Sequence, residues 1–166
     1  SCLAAAPFLG DVVTVPLALA SYRVHGRNDG AASSLDVAQV QLHVVRAWQR
    51  HRYAQRIARR IGIEIEALAI NGSLSYLPYR LSSLRLGPAT HPIADDSAGA
   101  ALLDVLRAMV KPQGMALKGK LSIGAWALLV ALLPHDASRR MMLWRFVPAQ
   151  RPKLLRLTLL RLGVIR

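Results

Sequence analysis

One short stretch of the sequence gathers side chains that do chemistry: Tyr22, Arg23, Val24, His25, Gly26, Arg27 and Asn28. A guanidinium presents a fork of N–H donors that suits phosphate oxygens, and an imidazole moves a proton near neutral pH or ligates a metal ion. Alternate residues of an extended segment share a face, so Arg23 and His25 project together while Tyr22 and Val24 project opposite. The pair can therefore meet one phosphate or one metal ion. Gly26 follows directly and, having no Cβ, lets the backbone approach a ligand closely. The residues alone leave a second role open for His25, a hydrogen-bonding group that fixes the junction between a strand and a loop.

Other chemistry-bearing patterns are missing from the sequence. It has no Gly-rich phosphate loop, no Cys or His cluster at zinc spacing and no G-x-S-x-G. His43 and His51 fall on one helical stretch among cations, and His91 and His135 flank prolines. With no second ligand at i+4, these four are expected as surface or capping histidines. Cys2 is the only cysteine, which excludes an intrachain disulfide and any cysteine-based metal cluster.

The elements that must position these groups follow from pattern. Residues 11–15 (D-V-V-T-V) and 17–24 (L-A-L-A-S-Y-R-V) are β-branched and aromatic and are split by Pro16, the signature of short strands or one kinked extended segment. A small, polar loop follows and ends in Ser33 and Ser34, the expected N-cap, with Asp36 in the first helical turn. Apolar residues then recur at spacings of three and four from Leu35 to Ile61, before Gly62 stops the helix. Its other face carries Arg46, Arg50, Arg52, Arg56, Arg59 and Arg60, with no acid between Val37 and Ile63.

Asn71-Gly72-Ser73 marks a turn, and residues 74–86 read as a shorter helix with Pro78 in its first turn. Residues 87–96 read as a loop, and Ser97 as the cap of a helix that runs to Val110 and is ended by Pro112 and Gly114. The uncharged run at residues 121–133 is shorter than the about 20 residues needed to span a bilayer, so a buried core helix is expected. Two further helices are expected at residues 136–146 and 152–162. The last mixes leucines with Lys153, Arg156 and Arg161, a basic amphipathic helix that either lies on anionic lipid or, more commonly, packs its leucines on the protein.

The string P-L-A-L-A-S-Y-R-V-H-G-R-N at residues 16–28 resembles the segment closing the catalytic domain of bacterial family 2 glycosyltransferases, where Y-R-x-H-G-x-N is common. The preceding S-C-L-A-A-A-P-F-L-G-D-V-V is similar to the helix and strand that follow the catalytic acid there. The later S-Y-L-P-Y-R-L-S-S-L-R-L, and the apolar helix ending at Leu133 and Pro134, are similar in style to C-terminal helical extensions of that family.

The resemblance implies a mainly α chain. Residues 1–33 would be the C-terminal end of an incomplete α/β GT-A catalytic domain with a short β segment, and residues 34–166 an α-helical extension. It implies sugar transfer from a nucleotide-diphospho-sugar donor to a glycan or lipid-linked acceptor, with inversion at the anomeric carbon and a divalent cation, Mg or Mn. Arg23, His25 and Asn28 are the matching positions for substrate or diphosphate binding, and His25 also for the metal; Asn28 is equally suited to shaping the loop. Asp11, Asp29 and Asp36 do not match the catalytic base or the Asp-x-Asp motif, which would precede Ser1. With its first methionine at Met109, the chain reads as a segment of a longer product that is inactive by itself.

Composition sets the outer bounds. The chain has 166 residues, 53% hydrophobic, enough for a core, and its mean hydropathy of +0.29 excludes global disorder. The formal net charge is +13, and most of it lies after residue 100, where Asp104 and Asp136 are the only acids. Such an excess suits a polyanion, so the alternative function is a basic helical module binding anionic membrane or nucleic acid. Nucleic acid is disfavoured, because aromatics are 5% of the chain and no recognition motif accompanies the charge. The expected location is the cytoplasm, peripheral at the inner face of the plasma membrane.

Overall fold

A computed structural model describes residues 34–63, 70–111 and 115–161. The strands expected within residues 11–24, and the whole of the catalytic-domain end assigned to residues 1–33, lie outside them. Among the described residues the chain is mainly helical, with six α-helices and no strand.

Helix α1 (Val37–Arg60) starts two residues later than the periodicity suggests. Its cap is Asp36, with extended φ and ψ and a carboxylate that accepts from the Ala38 N–H at 3.0 Å. Ser33 and Ser34 were the expected caps; Asp36 displaces them because its charge both accepts the free N–H and faces the positive end of the helix dipole. The other end closes in a Schellman motif. Ile63 N–H donates to the Ala58 carbonyl and Gly62 N–H to Arg59, with Gly62 at φ +72°, a conformation that favours glycine.

A 3₁₀ turn, Ile70–Gly72, occupies the expected Asn71-Gly72 turn and leads to helix α2 (Leu77–Leu86). This helix starts at Leu77 rather than residue 74, because Ser73 turns the chain by accepting from the N–H groups of Tyr76 and Leu77. Pro78 sits in its first turn, where a missing N–H is harmless. A second 3₁₀ turn, Pro88–Thr90, lies in the following loop. Helix α3 (Ala98–Val110) has the expected Ser97 cap, whose hydroxyl accepts from Ala100 N–H at 3.1 Å. Helices α4 (Leu117–Leu132), α5 (His135–Phe146) and α6 (Lys153–Arg161) complete the described residues.

Helix α2 is the centre, packed by α1, α3, α4 and α5. Its Leu77, Leu81 and Leu84 join Val44, Ala101, Val105, Ile123, Val130 and Met142 in one core. Rings in and around that core also tie the helices together. His43 of α1 stacks on Tyr79 of α2 at 4.6 Å, Tyr79 meets Phe146 of α5 at 4.9 Å, and Phe146 stands edge-on to Trp126 of α4 at 6.1 Å. His43 is thus a half-buried stacking partner and not the surface residue expected, since an imidazole is flat enough to cover a phenol ring.

Two expectations of burial need correction. The uncharged run that forms most of α4 buries one face only, through Ile123, Gly124, Trp126, Ala127 and Val130, and leaves Leu121, Leu128, Leu129 and Leu132 exposed. A run without polar residues has no polar face from which its orientation can be read. Helix α6 does not pack its leucines away: none of its residues is buried.

Candidate functional site

Arg23, His25 and Asn28 lie outside the described residues. The chemistry-bearing cluster that the structure does bring together is built on Arg80 of the central helix. Arg80 sits one turn after Leu77 and beside Leu81, so it must enter the interior with its neighbours. There its Nε and Nη2 donate to the two carboxylate oxygens of Asp96, each at 2.7 Å, and its Nη1 donates to Asp104 at 2.6 Å. The bidentate fork to Asp96 and the end-on bond to Asp104 use the three directions a planar guanidinium offers. Asp96 comes from the loop before α3, just after Asp95 turns the backbone with φ +57°, and it also accepts the Ser97 N–H at 2.8 Å.

His91 extends the cluster. Its Nδ1 lies 2.7 Å from the Ser83 hydroxyl and its Nε2 lies 3.2 Å from Asp96. Burial pulls His91 below its ordinary 6.5, and this outweighs the opposite pull of Asp96. A neutral ring satisfies every partner in one way: Nε2–H donates to Asp96 while Nδ1 accepts from the Ser83 O–H. Asp96 is held below its ordinary 3.8: burial alone would raise it, but the hydrogen bonds and charge of Arg80 win. Burial likewise opposes the charge on Arg80, yet the two carboxylates hold the guanidinium more firmly protonated than usual.

The order Ser83, His91, Asp96 is that of a nucleophile, a base and an orienting acid. Its geometry rules out that use. The Ser83 residue is 0% exposed and the His91 side chain 2%, so no acyl group can reach the hydroxyl. Both oxygens of Asp96 are also committed to Arg80, which leaves the carboxylate little capacity to stabilise an imidazolium. The cluster does not fit a divalent cation either, since the Arg80 guanidinium fills the space between the two carboxylates that would hold one. Among the described residues no group of three or more His, Cys, Asp or Glu side chains is placed to hold a metal ion.

What the cluster does is join the loop before α3, and α3 itself, to the centre of the bundle. It also makes the fold acid-sensitive. His91 stays neutral in the fold, so the stability tied to it is whole above pH 6.5 and lost as pH falls from there toward its lowered folded value. Asp96 adds a second loss as pH falls below 3.8. Thermal melts followed by circular dichroism are expected to be flat from pH 8 to 7 and to drop below 6.5. In His91→Gln the first drop disappears and the second remains; an unchanged first drop would place the sensitivity elsewhere.

The sequence predicts a surface or capping role for His91, and assigns none to Arg80, Ser83, Asp96 and Asp104. One signal was present: an arginine among Leu77, Leu81 and Leu84 on a helix needs an acid, and the chain has only 9 acids to offer.

Surface charge forms a second candidate. On α1, Arg46, Gln49, Arg50, Tyr53 and Arg56 line an open hollow of about 550 Å³ with His43 at its edge. The Arg50 Nε donates to the Arg46 carbonyl at 3.3 Å, and the Arg56 guanidinium lies 6.0 Å from the Tyr53 ring centre. Comparison with family models, with curated proteins and with solved structures finds no match to this chain.

Proposed function

We propose that the chain is the C-terminal part of a bacterial family 2 glycosyltransferase, moving a sugar from a nucleotide-diphospho-sugar to a glycan or lipid-linked acceptor. The observation that carries this reading is residues 16–28, where Tyr22, Arg23, His25, Gly26 and Asn28 match Y-R-x-H-G-x-N in order and spacing. In an extended segment Arg23 and His25 would share a face, and a guanidinium beside an imidazole suits the diphosphate that departs when the sugar transfers. Asn28 would shape the loop or join the same binding site. In this reading the acceptor's base and the carboxylates for Mg or Mn would be supplied by other parts of the enzyme, and no step is assigned to the described residues. In this reading those residues form the helical extension, in which the buried Arg80, Asp96, His91 and Ser83 hydrogen-bond to one another, as suits a support.

The proposed place of action is the cytoplasm at the inner face of the plasma membrane. No helix of the described residues is long and apolar enough to cross a membrane.

The deciding experiment joins the chain to its upstream coding sequence and measures transfer from nucleotide-diphospho-sugars with and without Mg or Mn. His25→Ala is expected to lower metal-dependent turnover by roughly tenfold to a hundredfold with the circular dichroism spectrum unchanged. Unchanged turnover assigns His25 to the strand–loop junction, and an upstream region without an Asp-x-Asp motif removes the transferase reading.

A further inference from the structure

Helix α6 combines two features that a free helix in water does not need. Leu154, Leu157 and Leu160 are 80%, 53% and 41% exposed, and α6 buries none of its residues. Lys153, Arg156 and Arg161 interleave with them, all three exposed and none in an ion pair among the described residues. The charge is not confined to α6: after Asp136 the sequence holds eight Lys and Arg and no acid. Leucines in water are unfavourable by their exposed apolar area, and unpaired cations repel one another, so both features call for a partner that is apolar and negative together.

We propose that α6 is the contact of this chain with anionic lipid, its leucines entering the boundary between headgroups and acyl chains while Lys153, Arg156 and Arg161 meet lipid phosphates. A helix of nine residues is about 13 Å long, so it lies in the interface and does not cross it. Other partners satisfy only one feature. A nucleic acid backbone answers the cations and leaves the leucines wet, and a second copy of α6 would bring like charges together. The exposed leucines of α4 lack this pairing, having only Lys118 and Lys120 near the start of the helix.

Membrane attachment is the point at which this inference rests on the reading above. Sugar transfer is not needed for it, so vesicle binding and turnover fail separately.

The test is sedimentation of the full chain with vesicles of phosphatidylcholine alone and with about a third phosphatidylglycerol. Binding is expected to need the anionic lipid and to weaken with salt. The triple variant Lys153→Gln, Arg156→Gln, Arg161→Gln is expected to bind roughly a hundredfold more weakly. In a Leu157→Trp variant, extra emission shifts to the blue on anionic vesicles only, which reports immersion and not mere surface attraction. Equal binding to both vesicles, equal binding by the triple variant, or no blue shift overturns the proposal. So does a blue shift that follows protein concentration without lipid, the mark of a second copy, or tighter retention on duplex DNA than on anionic vesicles.

Discussion

Arg80→Ala is expected to cost the fold about 3–5 kcal/mol, the penalty for stranding buried charges by removing one partner. An ordinary domain has about 5–15 kcal/mol in total, so the melting temperature should fall by roughly 10–20 °C. The size comes from what is left behind. Asp96, with a side chain 4% exposed, would keep only the Ser97 N–H and His91 as partners, and Asp104 would lose the bond at 2.6 Å. Burial is already the largest single influence on Asp96; without the guanidinium only the Ser97 N–H and His91 oppose it, and the carboxyl is expected to move above the ordinary 3.8. The pH dependence then changes sign. In the parent, Asp96 contributes stability that is lost as pH falls below 3.8; in Arg80→Ala it is a liability that protonation relieves, so the gap between the two proteins narrows on acidification. Adding Asp96→Asn to Arg80→Ala should recover stability at pH 7 for the same reason. Urea denaturation at several pH values checks all three statements. A cost below about 1 kcal/mol, or a gap that widens in acid, would mean that the cluster is a solvated surface pair.

Trp126→Ala is the second large loss, again about 3–5 kcal/mol. Trp126 is 9% exposed, and its indole N–H donates to the Met141 carbonyl at 3.0 Å, joining α4 to α5. Its face lies 4.8 Å from the Arg145 guanidinium, and its neighbour Phe146 stands perpendicular at 87°. Burial lowers the pKa of Arg145, the sign of a cation short of compensation, so the ring face is one of the few favourable surroundings it has. Truncation removes the ring and opens a cavity. It also takes the indole donor away from the Met141 carbonyl. Trp126→Phe separates these effects: it keeps most of the volume and the ring face, and is expected to cost about 1–2 kcal/mol for the lost N–H. Equal losses in the two variants would assign the whole effect to the hydrogen bond. The midpoint of urea unfolding, read by far-ultraviolet circular dichroism, is the measurement.

Both predictions concern the helical body, where sequence and structure can be compared element by element. Caps and periodicity placed α3 to the residue at both ends, because Ser97 and the spacing of Ala101, Val105 and Ala108 act within one helix. Helix α1 was legible for the same reason, apart from which of three neighbouring cap residues would win. The single-sided burial of α4 and the exposure of the α6 leucines were not legible. An apolar residue states a preference for burial but not the existence of a surface to be buried against, and that surface is made by other helices.

The division runs through the candidate sites as well. The match at residues 16–28 is a property of neighbouring residues and needs no fold to be seen, and the same holds for the acid-free, basic end of the chain. The Arg80 cluster is of the other kind. Arg80 meets Asp96 and Asp104 across 16 and 24 residues, and Ser83 meets His91 across 8. Local rules act over one or two helical turns, so they determined which segments are helices and where several of them stop. Which helix became the centre, and which of the 9 acids would neutralise its arginine, was decided only when the chain closed on itself, because a buried charge selects its partner by position in space and not by position in sequence.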